Sequence, residues 1–84
     1  MVEPMAETME LMSPRQARER HPQAFAQAAE QMVALYRDHG ILYVPMHAHV
    51  SEGGTSLEIT CSLETPREGL CDMAMMSIPL VQVH

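Results

Sequence analysis

Residues 42–63 read LYVPMHAHVSEGGTSLEITCSL, and the fold turns on how this stretch pairs with itself. Leu42, Val44, Met46, Ala48 and Val50 alternate with Tyr43, Pro45, His47 and His49, and Leu57, Ile59, Cys61 and Leu63 alternate with Glu58, Thr60, Ser62 and Glu64. A period of two is the mark of a half-buried strand. Between the two runs lies Ser51-Glu52-Gly53-Gly54-Thr55, a glycine-rich turn. Pairing Ser51 with Ser56 across this turn sets Val50 opposite Leu57, Ala48 opposite Ile59, Met46 opposite Cys61 and Val44 opposite Leu63. Both apolar sets then share one face, and a one-residue slip would destroy the agreement. Pro45 has no N–H for a ladder, so its strand is expected at a sheet edge or with a bulge at that point.

Upstream the period changes to that of a helix. Ser13-Pro14-Arg15-Gln16 combines a serine cap, proline at the first helical position and a glutamine that completes a capping box. His21-Pro22 interrupts, either as a break between two helices or as a kink in one. From Pro22 to His39, Phe25, Ala28, Ala29, Met32, Leu35 and Tyr36 make one apolar stripe. Gly40 closes this helix, with Ile41 placed for the hydrophobic contact that accompanies a closing glycine.

Downstream, Thr65-Pro66-Arg67-Glu68 reads as a second capping box, and Leu70, Met73, Ala74 and Ser77 suit a helix from Pro66 to about Met76. Residues 78–83 then form a terminal strand, demoted to an edge by Pro79. The competing pattern is the alternation of Cys71, Met73 and Met75, which would make a three-stranded meander. The preferred architecture is α+β: a long amphipathic helix on an antiparallel hairpin, then a short helix (or third strand) and a terminal strand. Residues 13–84 form one small domain, preceded by an acidic, methionine-rich tail over residues 1–12 that is either disordered or docked on a partner.

Composition narrows the function classes. The 84 residues carry a net charge of −6, with Glu3, Glu7 and Glu10 supplying half of it. All five basic residues are arginines, so Schiff-base chemistry and a phosphate-loop lysine are excluded. The acidic balance argues against a nucleic-acid partner and is compatible with a basic protein surface. No apolar run approaches the ~20 residues that cross a bilayer, so no membrane partner is expected. Cys61 and Cys71 lack zinc-ligand or redox-motif spacing, which points to a reducing, cytoplasmic setting.

Few residues suggest chemistry. His47 and His49 project from one strand face, and the register sets Glu58 opposite His49, a set that could take zinc or iron. The commoner arrangement is two histidines on a solvated face, with His49 and Glu58 as a cross-strand pair. Cys61 falls on the inner face, where a thiol is normally inert; Cys71, at the start of the expected last helix, is opposed by Glu68 and Asp72. No nucleophile, base and orienter assemble, so the sequence leaves enzymatic activity open and leans against it. Nine methionines suit a core and an adaptable interface, with Met73, Met75 and Met76 too widely spread to share one buried helix side. Tyr43, outward beside His47, joins them as a candidate partner-binding residue.

Apolar burial of roughly 130 kcal/mol is offset by about 125 kcal/mol of ordering entropy. Lysine-free strands with little charge also lack the usual guard against strand pairing. The expected function is thus a small protein-binding module, self-associating and acting as an inhibitor, adaptor or regulator of a larger protein with a basic surface. The alternative is a small metal-binding protein or metal-dependent enzyme using His47, His49 and Glu58.

Overall fold

The computed structural model describes residues 10–80. The chain runs α1 (Pro14–Arg20), α2 (Pro22–His39), β1 (Tyr43–Val50), β2 (Ser56–Leu63) and β3 (Met73–Pro79). The three strands form one antiparallel sheet in the order β1-β2-β3, so the architecture is α+β. No described helix is long and apolar enough to cross a membrane.

The helices begin and end where local chemistry requires. The Ser13 hydroxyl accepts from the Gln16 amide at 3.1 Å, while the Gln16 side chain accepts from the Ser13 amide at 3.0 Å. His21, with φ −135° and ψ 65°, separates α1 from α2, so the His21-Pro22 step is a break between two helices. Gly40 ends α2 in the left-handed region at φ +68°. Its amide donates to the Tyr36 carbonyl and the Ile41 amide to Leu35, the closing motif that glycine makes accessible. The Arg67 guanidinium donates to the carbonyls of His39 and Gly40 at 3.3 and 3.2 Å, tying the loop before β3 to the negative end of α2.

Both helices pack on one face of the sheet, α1 against β1 and α2 against β3. Every second residue of β2, from Leu57 to Leu63, is buried beneath them. Leu57, Ile59, Cys61 and Ile78 from the sheet meet Phe25, Ala28 and Met32 from α2 and Ala17 from α1. Met12, only 4% exposed, belongs to the same core. It forms a bridge with Ala48 on the outer edge of β1, so the expected tail boundary moves back. The remaining expectations for the tail, from residue 1 to residue 9, lie outside the described residues.

The hairpin keeps the expected register at its turn end: Val50 pairs with Leu57 and Ala48 with Ile59, and Ser51 donates to Ser56 at 2.9 Å. Beyond His47 it departs. Pro45, not Met46, lies opposite Cys61, Val44 opposite Ser62 and Tyr43 opposite Leu63, with Met46 as the extra residue of a bulge. The bonds from Glu64 to Leu42 and from Ser51 to Ser56 show that even-numbered residues of β2 turn their polar groups toward β1. A regular ladder would set Pro45 opposite Ser62 and demand an N–H that proline lacks. The bulge shifts Pro45 to a position whose nitrogen faces away from β2. It also corrects two side-chain placements: Met46 turns out to solvent at 48% exposure, and Tyr43 turns inward against the core.

The expected helix from Pro66 to Met76 does not form. Leu70 donates to the Arg67 carbonyl in a turn, Gly69 takes φ +90°, and Met73 begins a strand rather than a third helical turn. Odd-numbered residues of β2 turn their N–H and C=O groups away from β1, and β3 supplies their partners. A helix there would leave a buried strand with one edge unpaired, a cost that a local capping signal does not offset. The last described strand therefore starts at Met73, five residues before the expected Ile78, and residues 81–83 of the expected strand lie outside the described residues.

Candidate functional site

Strand pairing assigns the outer, helix-free face of the sheet. Directly opposed residues share a face, so its rows are His49–Glu58–Ser77, His47–Thr60–Met75 and Val44–Ser62–Met73. The expected grouping of His47, His49 and Glu58 on one face follows from strand alternation. Of the four candidate partner-binding residues, Met73 and Met75 lie on this face, 49% and 58% exposed. Tyr43 and Met76 lie on the opposite face, packed against the core.

His49 and Glu58 are in direct contact, with Nε2 donating to Oε1 at 2.8 Å. Their side chains are 13% and 24% exposed, so this pair is better shielded from water than the exposed Arg15–Glu19 and Arg37–Asp38 pairs. A charge-assisted bond here fixes the imidazole ring across the β1–β2 seam. The His49 Nδ1 atom is buried and has no hydrogen-bond partner among the described residues. No group of three or more His, Cys, Asp or Glu side chains is arranged to hold a metal ion among the described residues.

The two thiols are free and differ in setting: Cys61 is buried and Cys71 exposed. Burial pushes the Cys61 thiol above its ordinary value of 9.0, which keeps it protonated and poorly nucleophilic. Cys71 sits in the loop before β3, not at the helix start where it was expected. Its carbonyl accepts the Tyr43 hydroxyl at 2.8 Å, a contact that the bulge in β1 makes reachable. A cleft of about 300 Å³ lies between the start of α2 and the end of β3, lined by His21, Pro22, Gln23, Ala24, Gln27, Pro79 and Leu80.

Sequence reasoning missed the exposed edge of β3 as a continuous surface. The alternation of Cys71, Met73 and Met75 was its signal, set against the capping-box reading of residues 65–68. Comparison with known proteins finds no matching family model, no matching curated protein and no matching solved structure. The functional reading therefore rests on the residues themselves.

Proposed function

We propose that this chain is a small acidic protein-binding module of the cytoplasm that self-associates. It acts as an inhibitor, adaptor or regulator of a larger protein bearing a basic surface. One observation carries the reading: both helices lie on the inner face of the sheet, and the outer face keeps Met73 and Met75 about half exposed. Thioether side chains are flexible and polarizable, so such a face adapts to a partner's relief. The net charge of −6 favours a basic partner and opposes nucleic acid.

Sedimentation equilibrium of the full chain from about 1 to about 500 µM tests the self-association, since weak specific complexes form in that range. The expected result is an average mass that rises with concentration above 9.4 kDa. A single 9.4 kDa species throughout, retaining nothing from cell extract, would refute the reading.

A second reading, a metal-binding protein or metal-dependent enzyme using zinc or iron, is favoured by the shared face of His47, His49 and Glu58 and by the unpartnered Nδ1 of His49. Elemental analysis of the purified protein beside the His47→Ala/His49→Ala variant decides it. Stoichiometric metal lost in the variant supports it; no metal in either preparation removes it.

A further inference from the structure

We infer that a second copy of this chain docks along the outer edge of β3, antiparallel, with Met75 opposite its own symmetry mate, so that two sheets join into one. This rests on the self-association reading and names the surface and register that it uses.

The two edges of the sheet differ. On β1, Met12 donates to the Ala48 carbonyl at 2.7 Å and accepts from the Ala48 amide at 2.9 Å, and the bulge at Pro45 distorts the remainder. That edge is blunted in two of the ways natural sheets use. On β3 no described residue pairs with the outer side, and the segment MAMMSIP from Met73 to Pro79 carries no charge.

Two hydrogen bonds set the phase of this edge. Leu80 donates to Thr55 at 2.9 Å and Leu63 donates to Asp72 at 2.8 Å. Antiparallel ladders alternate, so Ala74, Met76 and Ile78 turn their backbone polar groups toward β2. Met73, Met75 and Ser77 turn theirs outward, where they form a row of free donors and acceptors. Pro79 follows in the same phase, with an acceptor but no donor.

The row is self-complementary. A two-fold axis at Met75 pairs Met75 with Met75 and Met73 with Ser77, giving three residue pairs that each exchange two hydrogen bonds. The next pair in this register would be Cys71 with Pro79. Pro79 has no N–H to give, and the Cys71 carbonyl is already taken by the Tyr43 hydroxyl. The missing donor of Pro79 thus faces an acceptor that already has a partner, so the ladder ends there without orphaning the Cys71 carbonyl. Moving the axis to Met76 would aim the Pro79 ring at the Met73 carbonyl and orphan that acceptor. Moving it to Ala74 would set Ser77 against Cys71, beyond the start of the strand.

Charge and area agree with a second copy. Glu58, opposite Ser77, is the nearest acid on the outer face. Its counterpart in the dimer would lie three strand spacings away, about 14 Å, and about four residues further along, well beyond the ~8 Å screening length at physiological salt. At one hydrogen bond per 100–200 Å², the ladder corresponds to about 600–1,200 Å² of buried surface. That is the low end for specific interfaces, so the dissociation constant is expected in the micromolar range. Met73 and Met75 of both copies would line the seam on the outer face and lose their present exposure.

Amide hydrogen exchange of the full chain, followed by NMR at about 20 µM and about 1 mM, tests the phase directly. The Met73, Met75 and Ser77 amides are expected to exchange fast when dilute and to gain at least tenfold protection when concentrated. Ala74, Met76 and Ile78 should be protected at both concentrations. Two variants test the edge by sedimentation. Met75→Lys puts like charges on the axis, and Ser77→Pro removes an outward donor; neither touches the ladder to β2. Each is expected to weaken dimerisation at least tenfold while leaving the circular dichroism of the dilute chain unchanged.

A dimer indifferent to both variants, without new protection at the three amides, would overturn this interface while leaving the self-association reading intact. Protection at those amides already complete in the dilute monomer would also overturn it, because the chain would then cover its own edge. A chain monomeric to about 1 mM would sink both.

Discussion

In β1, Met46 is the extra residue between Pro45, opposite Cys61, and His47, opposite Thr60, so its deletion restores a one-to-one ladder without changing either neighbour's partner. Met46 is 48% exposed. Fully burying a methionine is worth about 1.5–3 kcal/mol, so losing its half-buried side chain costs about 1 kcal/mol. In a domain of this size that is a drop of about 4–8 °C in the thermal midpoint. A regular strand would make the opposite case. Met46 would then sit inside against Cys61, and deleting it would cost about 2–5 kcal/mol and rotate every residue before it to the wrong face. The assay is thermal and urea unfolding of the deletion variant by far-UV circular dichroism, with Tyr43→Phe added in both backgrounds. The Tyr43 hydroxyl donates to the Cys71 carbonyl, so removing it is expected to cost about 0.5–1.5 kcal/mol with or without Met46. A deletion that unfolds the chain at room temperature, or a Tyr43→Phe change without effect in both backgrounds, would refute the bulge as the device that turns Tyr43 inward.

Three further outcomes follow from the contacts. Arg67→Ala removes the guanidinium that closes α2 and is expected to lower the unfolding free energy by about 0.5–1.5 kcal/mol, read as a lower urea midpoint; an unchanged midpoint would show the contact to be idle. Leu57→Ala empties a fully buried site and should cost about 2–5 kcal/mol, whereas Leu42→Ala, at 38% exposure, should cost about 1 kcal/mol or less; equal losses would contradict the placement of the core. Burial raises the Cys61 thiol above 9.0, so its contribution to stability is complete below that pH and declines above it, where the unfolded chain gives up a proton that the folded chain keeps. Urea titrations between pH of about 8 and about 10 should show that decline in the native chain, and a smaller one in Cys61→Ala.

Much of the fold was legible because its signals are local. Ser13 with Gln16, the stripe that begins at Phe25 and Gly40 each specify an element within a few residues, and the elements appear where expected; of the stripe, Phe25, Ala28 and Met32 are buried, while Tyr36 at its end is 58% exposed. The turn over residues 51–56 brought the register with it: alternation excludes any one-residue slip, and the turn length picks the pairing of Val50 with Leu57 and Ala48 with Ile59. The placement of His47, His49 and Glu58 together follows from alternation alone. Pro45 announced a conflict, because a residue without an N–H cannot sit at a donor position.

Tertiary structure decided what depends on distant partners. Whether the conflict at Pro45 is resolved by a bulge, and so which of Tyr43 and Met46 faces inward, was settled by where β2 turns its carbonyls. Residues 66–76 hold both a helix start and an alternating strand, and their own preferences do not choose between them. The choice fell to the unpaired side of β2, a chain segment with backbone groups to satisfy and apolar side chains already buried. Met12 likewise reads in the sequence only as the end of an acidic, methionine-rich tail, yet it closes one edge of the sheet. A strand's need for a neighbour on each side is a property of the assembled sheet, not of any short window of residues, and that is why only the three-dimensional structure decided that residues 73–79 form the edge strand.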